Sequence, residues 1–147
     1  MPVTPASVRC SSHATPRRLG ADRTGRYDRG VTLYDTIDDG LWDTYRGRND
    51  FIREYIFPGG RLPAPKVIAA LSDAAGLATV DVLDFGQSYA RTLEHWSERF
   101  EAAWPEIETM GFDDRFRRMW RYYLAYCQVG FELGRISVQQ WTWEHAG

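Results

Sequence analysis

Asn49–Pro63 reads NDFIREYIFPGGRLP, and the course of the whole chain follows from how this stretch is read. From Asp50 onward, Phe51, Ile52, Tyr55 and Ile56 fall at i, i+1, i+4 and i+5, the spacing of one helix face, with Arg53 and Glu54 on the other side. Pro58 has no N–H with which to continue that helix, and Gly59-Gly60 admits positive φ, so a reversal is predicted here. Leu62, Pro63 and Pro65 then predict an extended exit leading into a second helix. Taken alone, the stretch is a structural corner of the kind Gly and Pro commonly make.

Working outward, VTLYDTI at Val31–Ile37 is β-branched and aromatic and predicts a strand that ends at Asp38-Asp39-Gly40. A helix is predicted from Leu41 to Phe57, with Asp39 as its cap. Beyond the turn, a helix over Pro65–Ala75 closes at Gly76 and turns Val67, Ile68 and Leu71 inward. LATVDVLDF at Leu77–Phe85 predicts a strand. A helix from Gln87 to Trp104, halted by Pro105, presents Tyr89, Leu93, Trp96 and Phe100 on one face. The longest helix is predicted over Asp113–Leu133, with Phe116, Met119, Trp120, Tyr123, Leu124, Cys127 and Phe131 in its stripe and Gly134 ending it. ISVQQWTW at Ile136–Trp143 predicts a closing strand on a sheet edge.

Composition bounds the function. The 147 residues suit one domain, and 44% apolar with 26% charged residues is ordinary for a globular protein. Aromatic residues reach 14%, and all six tryptophans lie beyond residue 40, which calls for either a strong core or a surface for an apolar ligand. No window is long and apolar enough to span a bilayer, and the N-terminus has no apolar segment of the secretory kind. Cys10 and Cys127 make no disulfide framework, so a reducing, cytoplasmic setting is expected. Met1–Gly30 has no apolar period and carries six arginines against Asp22 and Asp28, a formal +4, whereas the remainder carries −6. Residues 1–30 are therefore expected to be a disordered basic arm, with the folded domain over 31–147. Such an arm could take nucleic acid or anionic lipid, but no nucleic-acid partner is expected.

Little chemistry shows in the motifs. His13, His95 and His145 are scattered, and no pair has the i, i+4 spacing of a zinc helix, so no metal site is expected. Gly59-Gly60 follows a helix rather than a strand, which is the wrong context for a phosphate loop. Glu106 and Glu108 lie two apart and face different sides of any helix. Cys127 sits in an aromatic stripe and reads as a small core residue. Tyr89, on the inner face of its helix, reads as a core aromatic whose hydroxyl finds a partner.

Several of these pieces together resemble the C-terminal part of the cyclopropane-fatty-acyl-phospholipid synthases. They are YIFPGG at Tyr55–Gly60, Leu62-Pro63, the Phe85-Gly86, Tyr89, Thr92-Leu93 pattern, RFEAAWPEIE at Arg99–Glu108 and RFRRMWRYYLAYC at Arg115–Cys127. They occur in the family's order across roughly residues 36–145, and several motifs in register are more specific than any one. The resemblance implies an α/β fold, the C-terminal part of a Rossmann-like S-adenosylmethionine-dependent methyltransferase, helix-rich with two or three edge strands. It implies transfer of a methylene unit from S-adenosylmethionine to the double bond of a phospholipid acyl chain, with bicarbonate as the second cofactor and Tyr89 as one of its contacts.

The family's histidine or glutamine would fall within Thr32–Ile37, where the residues are TLYDTI, and that role is not carried over. Nothing in Met1–Gly40 resembles the family's Gly-rich cofactor loop. The chain is accordingly expected to lack the cofactor-binding half, to bind neither cofactor alone and to be an inactive fragment. It would meet phospholipid acyl chains and the inner membrane surface peripherally, as a homodimer or beside a missing N-terminal half. The alternative from a different class is a non-catalytic lipid- or protein-binding module that uses the aromatic face.

Overall fold

The computed structural model describes residues 19–21 and 27–145. Nine elements follow in order: β1 Leu19–Ala21, β2 Tyr27–Ile37, α1 Trp42–Arg46, a single π-helical turn at Ile52–Ile56, α2 Pro65–Ala74, β3 Leu77–Asp84, α3 Gly86–Thr109, α4 Asp114–Glu132 and β4 Ile136–His145. The four strands form one sheet in the order β1-β2-β4-β3, and every neighbouring pair is antiparallel. Because β4 runs against both neighbours, β2 and β3 run parallel to each other with β4 inserted between them.

The pleat of β4 divides the core into two layers. Ile136 and Val138 point to one face and pack against Ala90 and Leu93 of α3 and Leu124 and Phe131 of α4. Trp141 and Trp143 point to the other, where Ile68 of α2, Tyr34 and Leu77 cover them. Leu93 and Leu124 are each only 2% exposed, and burying a side chain of that size contributes about 1.5–3 kcal/mol. α3 and α4 are also tied by Arg117, which donates to Glu101 at 2.6 Å while its guanidinium lies 5.1 Å from the Trp104 ring centre. Asp113 caps α4, its carboxylate accepting from Phe116 N at 2.8 Å. No helix among the described residues is long and apolar enough to cross a membrane.

The expected strand at Val31 begins four residues earlier, at Tyr27, and pairs with Leu19–Ala21. The described residues inside the expected arm are thus strand, and the rest of residues 1–30 lie outside the described residues. Register explains the extension: β4 runs on to His145, so Arg29 and Gly30 find partners at Glu144 and Trp143, and Arg29 pairs with the Glu144 carboxylate at 2.6 Å.

The single helix expected over Leu41–Phe57 is broken at Gly47–Asp50 into α1 and the π-helical turn. Asp50 restarts the chain there by accepting from Arg53 N at 3.0 Å. Phe57 N then donates to Ile52 O five residues back, at 2.7 Å. That wider turn rotates the face: Arg53, expected outside, is buried, while Tyr55, expected inside, is 54% exposed. Asp39 does not cap α1. Its carboxylate accepts instead from Lys66 N at the start of α2, at 2.9 Å.

Three further expectations are corrected. Leu71 is 66% exposed, and α2 buries Ile68 and Ser72 in its place, the serine satisfied by the Ile68 carbonyl at 2.9 Å. α3 runs through Pro105 to Thr109, because the proline removes one donor only and the bonding resumes around it. β4 is interior, not an edge. Among the described residues the outer strands are β1 and β3, and in β3 a bulge between Thr79 and Asp81 leaves Val80 without a register partner while Val80, Val82 and Leu83 are exposed.

Candidate functional site

The Asn49–Pro63 stretch is docked rather than dangling. Phe51 meets Tyr122 edge-on at 4.7 Å and Phe57 meets Tyr123 at 6.1 Å, so the turn hangs on α4. Its exit is tied to the sheet, since Ile37 N donates to Pro63 O at 3.0 Å. Leu62 N donates to the Tyr45 hydroxyl at 3.1 Å, which ties the same exit to α1.

Tyr89 sits in the first turn of α3, half-buried, its ring 4.9 Å from Phe131 and edge-on to Trp96 at 5.9 Å. Phe131 and Leu93 behind it are buried, whereas Trp96 is 40% exposed, so Tyr89 stands where the α3–α4 core opens to the surface. The aromatic wall continues along both helices through Trp104, Phe100, Phe116, Trp120 and Tyr123, with ring centres 5.1–6.4 Å apart. Cys127 is part of the same packing, against the core cluster.

The backbone before Tyr89 is fixed by a residue that the sequence reading passed over. The Asp84 carboxylate accepts from Ser137 Oγ at 2.5 Å, Gln139 Nε2 at 3.0 Å and Gly86 N at 2.9 Å. A side chain at Gly86 would put its Cβ 2.6 Å from Ser137 Oγ, which is why the Phe85-Gly86 pair needs its glycine. An acidic residue two places before a helix-opening glycine was the available signal, but its partners come from β4, more than fifty residues away.

Burial alone would raise the Asp84 pKa, yet the three hydrogen bonds outweigh it and hold the group below its ordinary 3.8. A depressed carboxylate pKa contributes stability that is present above the unfolded value and is lost as pH falls through the folded one. Urea midpoints of the wild type are therefore expected to drop more steeply below about pH 4 than those of Asp84→Asn, with the wild type ahead at pH 7. Parallel acid profiles would contradict this role for Asp84.

Within Thr32–Ile37, where the resemblance implies a histidine or glutamine, Asp35 lies opposite Val138 on the α3–α4 side of the sheet. Its burial pushes its pKa above the ordinary carboxylate value. A cleft of about 560 Å³, bordered by Tyr34, Ile68, Leu71, Leu77, Trp143 and His145, opens on the α2 side. The sheet therefore separates it from the face that Tyr89 packs on. His95 is exposed on α3 beside Glu98, at 3.4 Å, and His13 and Cys10 lie outside the described residues. Among the described residues no cluster of three His, Cys, Asp or Glu side chains could hold a metal.

The turns that follow β2 and β3, at Gly40 and Gly86, are where a nucleotide-like cofactor would need a cradle. Gly40 is filled by the Asp38 carboxylate, 3.0 Å from where a Cβ would stand, and Gly86 by Ser137. Neither leaves the bare, open backbone that such a group needs, so these residues do not fit it.

Comparison with known proteins bears on the same residues. The family described as mycolic acid cyclopropane synthetase matches residues 25–141, which takes in part of the expected arm. Tuberculostearic acid methyltransferase UfaA1 of Mycobacterium tuberculosis is 42% identical over 98 residues, 66% of this chain and 23% of that protein. Cyclopropane-fatty-acyl-phospholipid synthase of Escherichia coli is 40% identical over 111 residues, 76% of this chain and 28% of that protein. The solved structure of mycolic acid cyclopropane synthase CmaA1, complexed with SAH and CTAB, aligns with a TM-score of 0.66 at 28% identity, over 79% of this chain and 44% of that one. This chain spans about a quarter of the length of those curated relatives and under half of the solved one.

Proposed function

The chain belongs to the mycolic acid cyclopropane synthetase family, and on that premise we propose that it forms the acyl-chain side of an S-adenosylmethionine-dependent enzyme acting on the double bond of a phospholipid-borne acyl chain. The observation that carries this reading is the aromatic wall of α3 and α4, with Tyr89 at its opening beside the Phe85-Gly86 turn. Adding a one-carbon unit to an alkene develops positive charge on the acyl chain. Aromatic faces stabilise such charge, and a packed aromatic surface keeps away the water that would quench it.

The turns at Gly40 and Gly86 are occupied by the side chains of Asp38 and Ser137, and no step of cofactor chemistry is assigned to this chain. Tyr89 is proposed as one donor to the bicarbonate that the family resemblance implies, its phenol being a suitable partner for an oxyanion. The exposed β3 edge supports association with a second polypeptide, either a cofactor-binding half or a second copy.

The test joins residues 36–147 to the cofactor-binding half of an intact synthase of the family and measures one-carbon transfer to an unsaturated phospholipid. Turnover by the chimera, with no S-adenosylmethionine binding by the chain alone in calorimetry, is the expected result. A folded chimera that binds lipid saturably without turnover would overturn the catalytic reading in favour of a binding module.

A further inference from the structure

Four arginines converge where the chain turns at Gly59-Gly60. Arg46 ends α1, Arg48 follows it, Arg53 lies in the π-helical turn and Arg61 follows the glycines, and together they border a cleft of about 360 Å³. The remaining residues of its wall are Gly47, Asn49, Gly59 and Gly60, and none is acidic.

The cup is built on a buried cation. Arg53 is only 8% exposed; its guanidinium lies 4.0 Å from the Tyr45 ring centre, Nη2 donates to Tyr45 O at 3.0 Å and Nη1 donates to Arg48 O. Its Nε is buried and has no hydrogen-bond partner among the described residues. Of the other three, Arg46 has a carboxylate neighbour among the described residues, Asp43 at 3.3 Å, in a pair open to solvent on both sides. Gathering four guanidinium groups around one hollow costs mutual repulsion that a bound anion would relieve. The chain as a whole is net negative, at −2, so attraction for an anion here is local and not a product of overall charge.

We propose that Arg46, Arg48, Arg53 and Arg61 form a binding cup for a phosphate group. Guanidinium forks match the paired oxygens of phosphate, and several converging on one hollow suit a tetrahedral oxyanion better than a lone planar carboxylate. Gly47, Gly59 and Gly60 keep the rim free of side-chain bulk, and a Cβ at Gly47 or Gly59 would meet nothing within 4 Å. The phosphate could be that of a lipid headgroup or of a soluble ester. The site stands on its own geometry and rests on the reading above only where the phosphate belongs to a phospholipid.

The experiment uses the full chain and needs no methyl transfer, so its outcome is separable from that of the chimera. Inorganic phosphate is titrated by calorimetry, and vesicles of phosphatidylglycerol are tested by co-sedimentation. Both are repeated with Arg48→Ala/Arg61→Ala, which spares the buried Arg53, and with Arg115→Ala/Arg118→Ala on α4 as a control of equal charge loss. Circular dichroism checks that each variant is folded. The cup variant is expected to lose at least about tenfold in affinity, as the loss of charge-assisted bonds implies, while the α4 control binds as the wild type does. Loss confined to vesicles identifies a headgroup, and loss for free phosphate alone identifies a soluble ester. Binding of neither probe by the wild type, or equal losses in both variants, would overturn the proposal.

Discussion

Phe131→Ala is expected to destabilise the chain by about 3–5 kcal/mol, the range for removing a buried aromatic ring and leaving its cavity. Phe131 is 4% exposed, belongs to the cluster of Ala90, Leu93 and Leu124, and supports the Tyr89 ring from 4.9 Å. Stability of a domain is typically about 5–15 kcal/mol, so a loss of this size consumes a large share of it. Phe131→Leu, which keeps most of the volume, should cost clearly less. Urea unfolding of the three proteins checks this, and a Phe131→Ala midpoint within error of the wild type would mean that the α3–α4 layer is not the stabilising core described above.

The second large effect concerns turnover. In the chimera, Tyr89→Phe removes the hydroxyl and keeps the ring that packs on Phe131 and Trp96. If that hydroxyl donates to a bound anion, the lost hydrogen bond to a charged group is worth about 1.5–3 kcal/mol, roughly ten- to a hundredfold in rate if felt at the transition state. The melting temperature should hardly move. Tyr89→Ala, by contrast, should lower the melting temperature as well, because it opens the layer that Phe131 and Leu93 close. Normal turnover of the Tyr89→Phe chimera, with only Tyr89→Ala impaired, would return Tyr89 to a purely structural role.

What was legible in the sequence was whatever depended on neighbours in the chain. α2 and α4 lie where the apolar period, Pro65, Asp113 and Gly134 place them. The aromatic character of the Tyr89 surroundings followed from the helix face carrying Tyr89, Leu93 and Phe100. What was missed depended on distant partners. The closing strand was expected at an edge, yet its Gln139 donates to Asp84 and accepts from Trp141 Nε1, and so is satisfied inside the sheet. Asp39 was assigned to the helix that follows it in sequence and serves one 27 residues further on. Arg53 was placed outside because a regular helix was assumed, whereas the π-helical turn brings it in beneath Tyr45. The basic cup went unread for the same reason: its arginines are spread over sixteen positions and meet only through the break after α1 and the glycine turn.

The position of β4 also fixes the order in which the molecule can be assembled. β2 and β3 have no contact through hydrogen bonds with each other; each needs the strand that is synthesised after both. While the ribosome is still extending the chain, the α3–α4 hairpin can close from nearby residues, but β2, with only the three residues of β1 beside it, must wait for its second partner about a hundred positions downstream. Pairings of such long sequence separation form slowly, and waiting strands are exposed to wrong partners. The sheet at the centre of this fold is therefore the last part to be completed, and the nascent chain passes through a period in which β3 is still bare and β2 is covered along one side only by the short β1.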